Sequence, residues 1–167
     1  AAIAQPLIQA ADANPTLVLF RQLVRGSYYK NEAPPREKLL QHALFNKLKP
    51  DAKKYLLWAH AYYLQHYSKA DQRKEAASFY ARLLALEPKN ETYLYRYLQV
   101  ATDYSLPEIA KVAALRVMQH DPQIKHGDAV RRLLVAADKN KDKALALQAL
   151  AWIKKHDAKF GQTVYAA

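Results

Sequence analysis

The sequence predicts an all-α fold, an antiparallel helix-pair α-solenoid of about eight or nine helices. Three observations carry this. Apolar residues recur at intervals of three and four, the spacing of neighbours on one helix face, and no segment shows strand-like alternation that a helix would not explain better. Ala76, Tyr80, Leu83 and Leu84 form one such stripe, which stops at Pro88 and Asn90; a similar run from Ala110 stops at Pro122, 34 residues after Pro88. A fixed period of that length with two helices per period marks a stacked helical repeat. Finally, the chain has three glycines in 167 residues. Ala and Leu dominate, which favours helix and leaves little for hairpin turns.

The elements follow in order. Residues 1–13 are Ala-rich and read as helical after Pro6. Asn14 and Pro15 then look like the cap and first position of a helix that ends at Gly26, with Leu17, Phe20, Leu23 and Val24 on one face. The double proline Pro34-Pro35 is the strongest breaker in the chain, so an N-terminal helical cap is expected over 1–35 and repeats over 36–167. From Arg36 to Lys49 the apolar set Leu39, Leu40, Ala43, Leu44 and Leu48 predicts one amphipathic helix, ended by Pro50. Asp51 is placed to cap the next helix, which carries Tyr55, Leu56, Trp58, Ala59, Tyr62, Tyr63 and Tyr67. Residues 68–72 read as a turn before a helix from Arg73 to Leu86. Asn90 is placed to cap a helix over 91–101. Ser105 is placed to cap one reaching His120, and Gly127 or Asp128 to open the next. Residues 139–143 turn the chain into a last helix carrying Trp152 and Ile153. The tail from Phe160 reads as the start of a further element.

Composition excludes several chemistries. Cysteine is absent, which removes disulfides, Cys-ligated zinc and thiol nucleophiles. There is no Gly-rich phosphate loop, no nucleophile elbow and no zincin motif. His60 and His66 are six apart, as are His120 and His126, which does not put two imidazoles on one helix face. His60 reads as a hydrogen-bonded core residue, and His120 and His156 sit at helix ends where a cation suits the dipole. The chain is therefore expected to be non-enzymatic, with no cofactor and no metal site. No apolar run approaches the ~20 residues that span a bilayer. The net charge is +11, from 26 Lys and Arg against 15 Asp and Glu. The basic residues are spread along the chain, densest at Lys139, Lys141 and Lys143. Such a balance serves solubility and also favours an acidic partner.

Laid over one another, residues 57–90, 91–124 and 127–160 resemble tetratricopeptide repeats. The first helix of each carries a pair, Tyr63-Leu64, Tyr97-Leu98 and Leu133-Leu134. One turn earlier stand His60, Leu94 and Val130; one turn later stand Tyr67, Ala101 and Ala137. The second helix carries a small residue at Ala76, Ala110 and Ala146, then Tyr80, Ala114 and Leu150, then Leu83, Val117 and Ile153. Pro88, Pro122 and Ala158 close the units. The match departs from the family where Leu64, Leu98 and Leu134 replace the small residue of the first helix, and where the third closing proline is lost. The small residue of the second helix lets two helices approach, the following bulky one fills the gap to the next repeat, and the proline ends the helix.

The resemblance implies a right-handed stack whose first helices line a concave groove. Carried over position by position, the groove is lined by Trp58, Ala61, Gln65 and Lys69. Thr92, Tyr95, Gln99 and Asp103 follow, then Asp128, Arg131, Val135 and Lys139. The expected function is a non-enzymatic protein-interaction scaffold that takes a peptide or partner protein of acidic character in this groove, as part of a larger assembly. The competing expectation is a basic nucleic-acid-binding repeat, with Arg131, Arg132, Lys139, Lys141, Lys143, Lys154 and Lys155 on phosphates. Twelve tyrosines are the most unusual feature of the composition. Tyr93, Tyr95 and Tyr97 cannot share a face, because steps of about 100° spread them round a helix, so at least one is expected in solvent. The chain begins Ala1-Ala2-Ile3 without Met, which fits a processed terminus or a piece of a longer protein. Compartment is left open, with a lean to the periplasm or cell envelope and an envelope secretion or export complex as the expected assembly.

Overall fold

The computed structural model describes residues 38–120 and 128–156. The expected elements over 1–35 and the tail from Phe160 lie outside the described residues. Those described are helical, with seven α-helices against the eight or nine expected and no strand among them. Behind an α-helical stretch at residues 38–41 comes a short 3-10 helix, Ala43–Lys47. Then follow α1 (Pro50–Tyr67), the single-turn α2 (Ala70–Arg73), α3 (Ala76–Leu86), α4 (Glu91–Asp103), α5 (Pro107–His120), α6 (Asp128–Lys139) and α7 (Lys143–His156). The chain divides into two compact units, Ala1–Leu86 and Glu87–Ala167.

Three local expectations are corrected. The single helix expected over 36–49 is broken, because residues 38–41 are α-helical and residues 43–47 take the tighter 3-10 form. Pro50 opens α1 rather than merely ending what precedes it, for it stands at the first helical position behind Lys49, and Asp51 pairs with Lys54 at 3.0 Å inside the first turn. A proline there gives up only an N–H that has no partner in the helix. The turn expected over 68–72 contains α2. Asn90, by contrast, caps α4 as expected, its Oδ1 accepting from the Tyr93 amide at 3.2 Å.

In the first unit α1 packs on α3. Leu56, Leu57, Ala59, Ala61 and Leu64 of α1, with Ala76, Ala77, Tyr80, Leu83 and Leu84 of α3, are buried. The small residue Ala76 has no exposed surface, as close helix approach requires. Tyr80 is equally buried, and its hydroxyl donates to Gln65 Oε1 at 2.8 Å while its ring meets Trp58 edge-on at 5.9 Å. Both of these contacts run back to α1, its own pairing helix, rather than into a gap ahead. Taking this donor from a buried amide costs about 1–2 kcal/mol. Tyr80→Phe should lower the stability read by urea denaturation by that amount without changing helix content. His60 is buried, as expected, edge-on to Phe79 at 4.5 Å. Tyr67, expected inside, is 57% exposed. It lies at the last residue of α1.

In the second unit α4 packs on α5, α5 on α6 and α6 on α7, while α4 also meets α6 and α5 also meets α7. The core is Leu94, Tyr97, Leu98, Val100 and Ala101 of α4; Ala110, Ala113, Ala114 and Val117 of α5; Ala129, Val130, Leu133, Ala136 and Ala137 of α6; and Leu145, Ala149 and Ile153 of α7. Burial holds the Tyr97 hydroxyl above the usual tyrosine range, with nearby Arg116 opposing. Tyr93 and Tyr95 are half-buried, so none of the three tyrosines is fully in solvent.

The two helix pairs of this unit turn in the same way. Ser105 and Lys141, 36 residues apart, have φ of 53° and 51°. Each stands just past a helix end in the left-handed region. After each, an amide reaches back five residues, Leu106 to the Ala101 carbonyl at 2.9 Å and Asp142 to the Ala137 carbonyl at 3.0 Å. That bond satisfies a carbonyl the helix end would otherwise strand, the usual reward of a left-handed residue there. Ser105 is thus the stop of α4 and not the cap of α5.

Candidate partner-binding face

The face of interest is built where α4 and α6 lie side by side in the second unit. Arg132 is its centre. Its residue is 6% exposed, and it projects from α6 towards the C-terminal turn of α4. Its Nε donates to Asp128 Oδ2 at 2.5 Å, one helical turn back on α6. One guanidinium nitrogen donates to Asp103 Oδ1 at 2.6 Å, to Thr102 Oγ1 at 2.7 Å and to the Gln99 carbonyl at 3.3 Å. Thr102 passes its own hydroxyl proton to the Leu98 carbonyl at 2.9 Å. A buried charge is tolerable only when so paired and bonded.

The rim of the network holds the residues expected in the groove. Arg131 Nε donates to Asp128 Oδ1 at 2.8 Å, and the Tyr95 hydroxyl donates to Asp128 Oδ2 at 3.3 Å. Arg96 lies over the Tyr95 ring at 6.0 Å and donates to Gln99 Oε1 at 2.8 Å. Lys139 Nζ donates to the Thr102 carbonyl at 3.0 Å and to Ser105 Oγ at 2.7 Å, tying the end of α6 to the turn after α4. Asn140 adds a bond to the Pro107 carbonyl at 2.9 Å. On the second helices Lys111 of α5 and Asp142 meet at 2.6 Å.

The titrations follow the geometry. Burial alone would raise the Asp128 carboxyl, but the bonds from Arg131 and Arg132 outweigh it and hold it below its ordinary value. Burial would likewise lower the Arg132 guanidinium, and Asp103 and Asp128 reverse that, so it stays charged. The hydrogen bond from Lys111 lowers Asp142, and the same bond raises Lys111. Arg131 and Arg132 thus hold Asp128, Arg132 also holds Asp103, and Arg96 and Lys139 flank them on Gln99 and on Thr102 and Ser105.

Tyr95, Gln99, Asp103, Asp128, Arg131 and Lys139 are therefore brought together in one bonded cluster, with Val135 half-buried on α6. Thr92 is exposed at the start of α4. In the first unit Trp58 is half-buried and Lys69 exposed, but Gln65 and Ala61 do not line an open groove. Gln65 is 5% exposed and bonded to Tyr80, and Ala61 is fully buried. Both lie on the part of α1 that α3 covers. Arg132 was expected to meet phosphate and is instead committed to the interior. The signal was legible, since Asp128 and Arg132 stand four apart, the spacing of a helix ion pair.

Among the described residues no cluster of His, Asp or Glu could hold a metal, and no helix is long and apolar enough to cross a membrane. The fold and face thus define an all-helical protein with a bonded, cation-rich face on paired helices. Comparison with family models, curated proteins and solved structures gives no match.

Proposed function

We propose that this chain is a non-enzymatic interaction scaffold of tetratricopeptide-like helical repeats, binding an acidic peptide or partner protein on the α4–α6 face. The observation that carries the reading is the network round Arg132. It orders Tyr95, Arg96, Arg131 and Lys139 before any partner arrives, so less side-chain entropy is lost on binding. Tyr and Arg are the side chains enriched at interaction hot spots. The repeated left-handed turn and the adjacency of α4 with α6 and α5 with α7 support a solenoid arrangement. A role within a larger assembly, such as an envelope secretion or export complex, is part of the proposal.

A fluorescence anisotropy titration tests it. A glutamate-rich peptide should bind saturably, and Arg131→Glu with Lys139→Glu should weaken it by about tenfold or more, as reversing two charges at a complementary face does. Equal binding by that variant overturns the reading. Generic RNA and DNA at two salt levels form the other arm. With Arg132 committed to the interior, nucleic-acid binding should be slight; tight binding that falls steeply with salt would replace the proposal with the nucleic-acid one.

A further inference from the structure

The two helix pairs of the second unit are in register at an offset of 36 residues, shown by their left-handed turns at Ser105 and Lys141 and by the starts of α5 and α7 at Pro107 and Lys143. Ala110 of α5 therefore corresponds to Ala146 of α7, Lys111 to Leu147 and Ala114 to Leu150. On α5 this flank meets the following pair. Lys111 reaches Asp142 at 2.6 Å, and Ala110 and Ala114 beside it have no exposed surface. On α7 the same flank lies open, with Leu147 68% exposed and Ala146 and Leu150 half-buried. At 100° per residue, Lys143, Ala146, Leu147, Leu150 and Lys154 fall within one arc of about 100° and run about 16 Å along the helix. A flank turned to water at the end of a row of helix pairs should be polar. This one is the reverse: leucines stand where the covered flank of α5 has a lysine and an alanine.

We propose that this flank of α7 docks an amphipathic helix of a partner protein, apolar on one face and acidic at its rim, a second surface whose use rests on the interaction-scaffold reading. Continuity with the packing inside the unit says that the occupant is a helix. The equivalent flank of α5 is met by α7, with the carboxylate of Asp142 against its cation. On α7, Leu147 and Leu150 stand three apart and form a ridge, and the small side chain of Ala146 leaves a groove beside it for the ridge of another helix. Charge says that the occupant is acidic. Three lysines, Lys143, Lys154 and Lys155, and no carboxylate lie within α7. Lys143 and Lys154, both exposed, bracket the leucines. A second copy of the chain, itself at +11, would set lysine against lysine. Aliphatic side chains give nucleic-acid bases no stacking platform. Two leucines offer little anchorage on a lipid surface.

The test is an anisotropy titration with a fluorescein-labelled amphipathic peptide that carries leucines on one helical face and glutamates beside them, set against a scramble of the same composition. The peptide should bind saturably and the scramble should not. Leu147→Asp should weaken binding about tenfold or more, the loss of one buried leucine anchor. Its thermal midpoint should stay unchanged, because Leu147 is largely in solvent. Leu147→Met should keep most of the binding. Lys143→Glu with Lys154→Glu should weaken it and flatten its dependence on salt. No saturable binding, or binding equal in the scramble or in Leu147→Asp, overturns the inference. So does a lowered midpoint in Leu147→Asp, which would put that leucine against the chain's own residues. A dimer or an association with anionic vesicles that Leu147→Asp abolishes would overturn it too. If the amphipathic peptide fails while the glutamate-rich peptide still needs Arg131 and Lys139, this inference falls alone. If Leu147 matters and the Arg131 and Lys139 variant does not, the α4–α6 reading falls instead.

Discussion

Arg132→Met should destabilise the second unit by about 2–3 kcal/mol, read as a lower midpoint in urea denaturation. Removing one member of a buried ion pair strands its partners, a loss of roughly 3–5 kcal/mol when both are fully buried. Here the arginine side chain is buried, but Asp103 and Asp128 are 39% and 35% exposed and recover some hydration, which sets the lower figure. Adding Asp103→Asn and Asp128→Asn to the methionine variant should restore part of the stability, since no unpaired carboxylate then remains. A methionine variant as stable as the parent would show that the network contributes nothing to folding.

The same group gives the acid response a sign. The Asp128 carboxyl is held below its ordinary value in the folded chain, chiefly because two arginine bonds outweigh its burial. The unfolded chain therefore takes up its proton first as pH falls. The stabilisation is complete above the ordinary carboxylate range and is lost as pH drops through the depressed folded value. Asp142, held down by Lys111, acts in the same direction. In Arg132→Met the acid-induced loss of stability should be shallower, because part of it has already gone. An unchanged slope would mean that Asp128 titrates independently of Arg132.

Ala76→Trp should produce the second large effect. Ala76 has no exposed surface at the start of α3, where α3 meets α1, and an indole there must force the two helices apart. Overpacking of this kind costs about 1–3 kcal/mol, and more where the backbone cannot yield. A drop of about 3 kcal/mol or outright failure to fold is expected. Ala76→Gly should cost only about 0.5–1 kcal/mol, from backbone entropy and not from a clash. A tryptophan variant with an unchanged thermal midpoint would show that this position is not a close approach.

The helices were largely readable because helix formation depends on local spacing. Leu94, Leu98 and Ala101 share a face by their numbers alone, and they are buried. Asn90 announces a helix start by its side chain. The boundary at 36–49 was not readable in this way. A 3-10 turn and an α-helix place apolar residues at nearly the same intervals over so short a run. Ser105 misled for a related reason: serine favours helix starts, and only the φ of 53° shows it ending one.

The polar face divides along the same line. The sequence by itself determined an all-helical chain, the small residues at Ala76 and Ala110 that meet other helices, and a basic surface balance. Those properties follow from composition and from contacts three or four residues apart. Only the tertiary structure decided which charges are spent internally. Arg132 reaches Asp103 across 29 residues and Lys139 reaches Ser105 across 34, while Gln65 turns inward to Tyr80. Whether a cation meets solvent or a carboxylate depends on which helices become neighbours, and that is set by burial of the apolar faces rather than by any property of the charged residue.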